Sequence, residues 1–189
     1  AWKNKRLILV CIMNVIAVVV TYNRLELLKR NLSCLRRQTV PLTTLVVVDN
    51  GSTDGTGAWL DEQEDVKTIH QTNVGGGFYT GMEYARLADA DWIWCMDDDV
   101  FPRLDCLEQL LAYAGYEGVG ILAPRRLLEG RIYTNDFLSF NLTRPFSSMY
   151  SGRLSKMEVN SPVEISGTAF EGLFVRGEVV RLVGLPNKD

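Results

Sequence analysis

Residues 92–99 read Trp92-Ile93-Trp94-Cys95-Met96-Asp97-Asp98-Asp99. Five apolar residues with aromatic and β-branched content are the pattern of a strand buried on both faces. That strand runs straight into three carboxylates. Side chains alternate along an extended chain, so Asp97 and Asp99 share one side while Asp98 points away. Two like charges so placed raise one another's pKa unless a cation stands between them. A hard divalent cation with oxygen ligands relieves that repulsion. The competing reading is a solvated acidic turn that caps a helix beginning near Leu104.

Three further strand–helix units precede this stretch. Val15–Val20 is a valine-rich run ended by Thr21-Tyr22-Asn23-Arg24, after which Leu25, Leu28, Leu32 and Leu35 recur at helical spacing to about Arg37. Leu45–Val48 is a second buried run, followed by Asp49-Asn50-Gly51-Ser52-Thr53-Asp54-Gly55 and a helix containing Trp59 and Leu60. Val66–Ile69 is a weaker third strand. Gly75-Gly76-Gly77 then leads into a helix with Phe78, Met82 and Ala85 on one face. Short buried strands alternating with helices predict an α/β fold, a parallel sheet with helices on both faces. Ligands bind such sheets beyond the carboxyl ends of the strands. The stretches TYNR, DNGSTD, NVGGG and DDD each follow a strand and so belong to one rim.

Beyond Asp99, Leu104–Tyr113 is helical, Gly120–Ala123 reads as a strand and Arg125–Met157 as irregular or hairpin structure. Val163–Ser166 reads as another strand, and a helix starts near Gly177. At 189 residues and a net charge of −3, the chain makes one α/β domain with no basic footprint for nucleic acid. Its four cysteines lack metal-site spacing and read as reduced thiols of a cytoplasmic protein. One histidine, His70, and no GxSxG elbow argue against hydrolase triads. Residues 1–12 pair a basic start with an apolar run too short to span a bilayer. They read as an N-terminal extension or added segment, with the domain occupying residues 13–189.

A cation held by Asp97 and Asp99 with open positions suits phosphate oxygens. Asp49 can accept a hydrogen bond from a pyrimidine imide or serve as a turn residue. Gly75, Gly76 and Gly77 permit close backbone approach to a ligand or form a flexible turn. Arg24 can meet a phosphate or remain a solvated surface residue.

Taken in order, VVVTYNR, VVVDNGSTDGT, TNVGGGFYTGMEYA and WIWCMDDDV resemble the GT-A glycosyltransferases of inverting family 2, over about Val15 to Asp189. The NVGGGFYTG form is most similar to the galactofuranosyl- and rhamnosyltransferase branch. The resemblance implies a UDP- or dTDP-sugar donor, with Thr21, Tyr22, Asn23 and Asp49 near base and ribose. Arg24, Asn50 and Gly75–Gly77 are counted with the same donor-binding rim. It also implies Mn²⁺ or Mg²⁺ on Asp97 and Asp99 against the diphosphate, with Asp98 on the sugar side, and direct displacement with inversion. Family members usually take the general base from an acidic motif past the segment represented here by Gly184-Leu185-Pro186. The chain is therefore expected to lack its C-terminal part and to bind donor while turning over poorly. Glu171 is the best remaining carboxylate on the acceptor side. Acceptors in this branch are glycans or lipid-linked, which implies work at the inner membrane face. The alternatives are a sugar nucleotidyltransferase, disfavoured by TYNR in place of a glycine- and lysine/arginine-rich loop, or a nucleotide-sugar-binding module without catalysis.

Overall fold

The computed structural model describes residues 13–72, 75–128, 130–132, 162–165 and 167–188. Ala1–Ile12 and most of Arg125–Met157, which carried sequence expectations, lie outside them. Strands β1 (Val15–Thr21), β2 (Thr44–Asp49), β3 (Val66–His70) and β4 (Trp92–Asp97) form the sheet's first four members. Helices α1 (Leu25–Arg36), α2 (Thr56–Asp61) and α3 (Gly77–Leu87) connect them. After β4 come α4 (Cys106–Ala114), β5 (Ile121–Leu122), a small hairpin of β6 (Leu127–Leu128) and β7 (Arg131–Ile132), β8 (Leu173–Arg176) and α5 (Gly177–Val183).

The main sheet runs β3-β2-β1-β4-β8-β5. Its first four strands are parallel; β8 is antiparallel to both β4 and β5. Strand parity divides the core. Val15, Ala17 and Val19 of β1, with Trp92, Trp94 and Met96 of β4, pack under the leucines of α1 and α4 and Leu60 of α2. Ile16, Val18, Ile93 and Cys95 face Met82 and Ala85 of α3 and Val180 of α5. Helices thus cover both faces, which is why the central strands carry unbroken apolar runs.

Each of the four parallel strands extends one residue past its apolar run, so that Thr21, Asp49, His70 and Asp97 belong to the ladder. Neighbouring strands hold them there: Thr21 lies opposite Asp49, Asp49 opposite His70 and Val20 opposite Asp97. The backbone N–H of Asn50 donates to the Thr21 carbonyl at 2.9 Å, and that of Gln71 to the Asp49 carbonyl at 3.0 Å. Thr21, Asp49, His70 and Asp97 therefore reach the rim on sheet backbone.

Three sequence expectations need correction. The helix expected from Leu104 begins at Cys106, because the Leu104 carbonyl accepts the Thr39 N–H and the buried Gln38 amide accepts the Leu107 N–H. Val163–Ile165 is irregular, without a ladder partner. The strand that fills the sheet is instead β8, whose Phe174 is fully buried, stacked on Trp92 at 4.6 Å and edge-on to Trp94 at 6.5 Å. The strand expected over Gly120–Ala123 shrinks to two residues, since only Val175 and Phe174 stand opposite.

Close packing explains the glycines of α3. A Cβ on Gly77 would lie 2.6 Å from Val20 Cγ1, and one on Gly81 2.2 Å from Val18 Cγ1. Gly81→Ala is expected to lower the urea midpoint at unchanged m-value, at a cost of about 1–3 kcal/mol from overpacking. Gly115→Ala, at a position with open space and ordinary φ, should leave the midpoint near wild type.

Candidate active site

Parity also sorts the carboxylates. Asp97 continues the side of Ile93 and Cys95, while Asp98, next in sequence, returns to the side of α1. There Thr21 Oγ1 donates to Asp98 Oδ2 at 2.6 Å, and Arg24 Nη1 reaches Asp98 Oδ1 at 3.3 Å. Arg24 Nη1 also donates to Asp99 Oδ2 at 3.0 Å. The expected split of Asp97 from Asp98 holds. The expected grouping of Asp97 with Asp99 is modified, because Asp99 stands past the strand end and is tied to Asp98 through Arg24.

Asp98 is 2 % exposed. Burial raises its pKa, against the opposing pull of the Thr21 hydrogen bond and the Arg24 charge. The side chain anchors Thr21 and Arg24 from beneath the rim. The resemblance placed Asp98 on the sugar side; the structure shows its carboxylate bonded to Thr21 and Arg24. Arg24 answers in kind, its pKa held up first by the Asp98 charge and then by the hydrogen bond to it.

Asp97 is only partly buried, and its carboxylate accepts no hydrogen bond from the described residues. Burial first, then the charges of Asp99, Asp98 and Glu171, push its pKa up to about 6. Glu171 approaches from the turn before β8, held by an ion pair with Arg126. The Gly172 N–H donates to the Cys95 carbonyl at 3.0 Å, and Trp94 Nε1 to the Gly172 carbonyl at 3.1 Å. Glu171 is thereby brought to the same rim as the acidic triplet.

The loops after β1 and β2 lock together. Asn23 adopts φ 53°; its N–H donates to Ser52 Oγ at 2.9 Å, and its Oδ1 accepts the Thr53 N–H at 2.7 Å. Asp54 accepts the Leu25 N–H at 3.3 Å and the Thr56 hydroxyl at 2.6 Å, the Thr56 bond chiefly holding its pKa low. Asp49 is buried and engaged at both oxygens: Oδ1 accepts the Ser52 N–H at 3.0 Å, and Oδ2 lies 3.1 Å from His70 Nδ1. Asn50 Oδ1 accepts from Gln71 Nε2 at 2.9 Å, and Gln71 Oε1 from the Thr80 hydroxyl at 2.7 Å. Tyr22 is exposed on the same edge.

Of the glycine run, Gly75 is exposed, while Gly76 and Gly77 have packing reasons for their identity. Gly76 has φ 81°, and a Cβ there would lie 2.6 Å from the Lys188 carbonyl oxygen. Sequence reasoning missed His70 as a partner of Asp49, Arg126 as a partner of Glu171, and Asn31. Asn31 is fully buried in α1, and its Nδ2 donates to the Val100 carbonyl at 2.6 Å, which holds the chain just past the triplet. An asparagine inside an apolar helical stripe is the signal that pointed to it.

Among the described residues, no three or more His, Cys, Asp or Glu side chains are grouped to hold a metal on their own. What the rim offers is Asp97 and Asp99, hard oxygen donors whose mutual repulsion Arg24 offsets only in part. That set fits Mg²⁺ or Mn²⁺ completing its shell with water and donor phosphate oxygens, the ordinary habit of Mg²⁺ with nucleotides.

A mostly parallel sheet covered on both faces, with its polar groups gathered at the carboxyl rim, is the GT-A fold. It is shared with a mannosyltransferase from Pyrobaculum calidifontis, solved in complex with GDP-Man and Mn²⁺, at a TM-score of 0.59 and 20 % identity. That match covers 92 % of this chain and 47 % of the other. The chain belongs to the family described as Glycosyl transferase family 2, which matches residues 16–169. The galactofuranosyltransferase GlfT1 of Mycolicibacterium smegmatis is 31 % identical over 89 % of this chain and 63 % of that protein. GlfT1 of Mycobacterium tuberculosis is 30 % identical over 92 % and 59 % respectively. The chain thus spans about six-tenths of the length of these curated relatives.

The raised pKa of Asp97 has a testable sign. A carboxyl that is harder to ionise folded than unfolded binds its proton more tightly in the native state, so folding stability falls as pH rises from about 4 to 6 and stays lower above. Asp97→Asn is expected to remove that part of the pH dependence. Urea melts of both proteins, metal-free, at pH 4.5 and 7.5 should show the variant gaining on wild type at the higher pH.

Proposed function

We propose that this chain carries the donor half of a metal-assisted inverting glycosyltransferase, with galactofuranose the favoured sugar and rhamnose the second choice. The observation that carries the reading is Asp97 and Asp99 delivered by a core strand to the rim that also receives Thr21, Arg24, Asp49 and Glu171. The identity to GlfT1 proteins supports galactofuranose. The donor is a UDP- or dTDP-sugar, its base read by Asp49 and the 21–23 loop, with Asn50 alongside.

Asp97 and Asp99 would hold Mn²⁺ or Mg²⁺, which would supply positive charge to offset the negative charge growing on the departing diphosphate. Arg24, already facing Asp98 and Asp99, turns its exposed guanidinium edge to a phosphate oxygen. Asp98 and Thr21 keep that arginine and the strand ends in register. Glu171, oriented by Arg126, meets the acceptor hydroxyl, whose oxygen attacks the anomeric carbon as the carbon–oxygen bond to the diphosphate breaks, inverting the centre, while the hydroxyl proton passes to a base carboxylate of the kind family members carry past the segment represented by Gly184-Leu185-Pro186. The acceptor is a glycan or lipid-linked glycan, and the workplace the cytoplasmic membrane surface. Among the described residues no helix is long and apolar enough to cross a membrane.

Calorimetric titration of UDP, dTDP and GDP, with and without Mn²⁺, tests this on wild type and Asp99→Ala. Metal-dependent binding of UDP or dTDP is expected, weakened in Asp99→Ala by at least about tenfold for loss of a charged ligand. Binding indifferent to both metal and Asp99 would refute the assignment, and preference for GDP would refute the base.

A further inference from the structure

His70 is the only histidine in the chain, and it ends β3 directly opposite Asp49. Its ring stands between carboxylates from two different elements. Nδ1 is 3.1 Å from Asp49 Oδ2 on β2, and Nε2 is 2.9 Å from Asp61 Oδ1 at the end of α2. Ionised carboxylates only accept hydrogen bonds, and a neutral imidazole has a single N–H. Whichever tautomer it adopted, a neutral ring would aim a lone pair at one carboxylate. Only the imidazolium satisfies both.

The surroundings keep this clamp in place. A Cβ on Gly57 would come within 3.1 Å of Asp49 Oδ2 and 3.5 Å of His70 Cε1, so the first turn of α2 lies against the pair. Asp49 Oδ1 is fixed separately by the Ser52 N–H. The charged groups facing the ring are Asp61 from α2 and Asp49 from β2, and both raise the histidine pKa, Asp61 the more, against the effect of burial. Nothing in an isolated turn or strand demands such a cation. Its position beside the carboxylate at the rim does.

We propose that His70, as an imidazolium clamped by Asp61, is a positioning residue for donor recognition: it holds Asp49 oriented to accept the imide N–H of a uracil or thymine base. This rests on the donor-base assignment of Asp49 made above. It adds a regulation of that site by pH. The clamp is complete below the unfolded histidine pKa, about 6.5, and is lost as pH rises through the higher folded value. Deprotonation removes one of the two donated bonds and a positive charge beside the anionic donor, so affinity for the nucleotide falls.

UDP-galactose, whose diphosphate does not titrate near neutrality, is the probe. Its affinity is measured by calorimetry with Mg²⁺ at pH 6.0 and 8.5 on wild type, His70→Gln and Asp61→Asn. The ratio of wild type to His70→Gln cancels contributions common to both, that of Asp97 included. Wild type is expected to bind about five- to tenfold tighter than His70→Gln at pH 6.0, the worth of a charge-assisted hydrogen bond, and about equally at pH 8.5. Imidazole NMR of the single histidine, read without nucleotide, should give a pKa above the free value in wild type and a lower one in Asp61→Asn. A wild-type to variant ratio that does not change with pH, or a histidine titrating at or below its free value, overturns the coupling while leaving the donor site standing. Should UDP-galactose fail to bind, the same comparison is made with dTDP-rhamnose; failure of both at either pH overturns the donor assignment and this inference with it.

Discussion

The buried Asp98 carboxylate, shared between the Thr21 hydroxyl and the Arg24 guanidinium, is the interaction on which the rim depends. A carboxylate sealed at the end of a core strand must be compensated by groups that cannot leave. Thr21 comes from the last rung of β1, and Arg24 from the turn that starts α1. Their bonds to Asp98 therefore tie β1, β4 and the first helix together at one point. Asp97 and Asp99 flank Asp98 in sequence, close enough to each other that the charge of Asp99 raises the pKa of Asp97. The repulsion they retain is what a divalent cation would relieve.

A second lock, built between the loops after β1 and β2, gives the rim its breadth. Asn23, Ser52, Thr53 and Asp54 exchange side-chain-to-backbone bonds, as short polar residues do in turns. Asp49 and His70 extend this order across β2 and β3. Function at such a rim needs groups held to within fractions of an ångström, and sheet backbone supplies that better than loops.

Much of this was legible in the sequence because the apolar runs are long relative to their polar punctuation. Val15–Val20 and Trp92–Met96 left no choice but buried strands, and parity along Met96-Asp97-Asp98 correctly parted two carboxylates. Other features were hidden for physical reasons. β8 is only four residues long, and its burial comes from contacts with Trp92 and Trp94, some eighty positions away in sequence. His70 carries no local pattern, since its meaning arises only in the register with Asp49. Gly77 read as close approach to a ligand or as a flexible turn; its crowding by Val20, like that of Gly81 by Val18, is a property of helix-on-sheet packing that no turn rule conveys. The partners of Asp98 were not legible, because alternation says which way a side chain points, not which group waits there.

The most direct measurement is a crystal structure of the chain with UDP-galactose and Mn²⁺. A metal within about 2.0–2.5 Å of oxygens from Asp97 and Asp99 and from the diphosphate is expected, with the base against Asp49 and Asp98 still bound to Thr21. A nucleotide seated away from the carboxyl ends of β1, β2 and β4, or a metal held without Asp97 and Asp99, would contradict it.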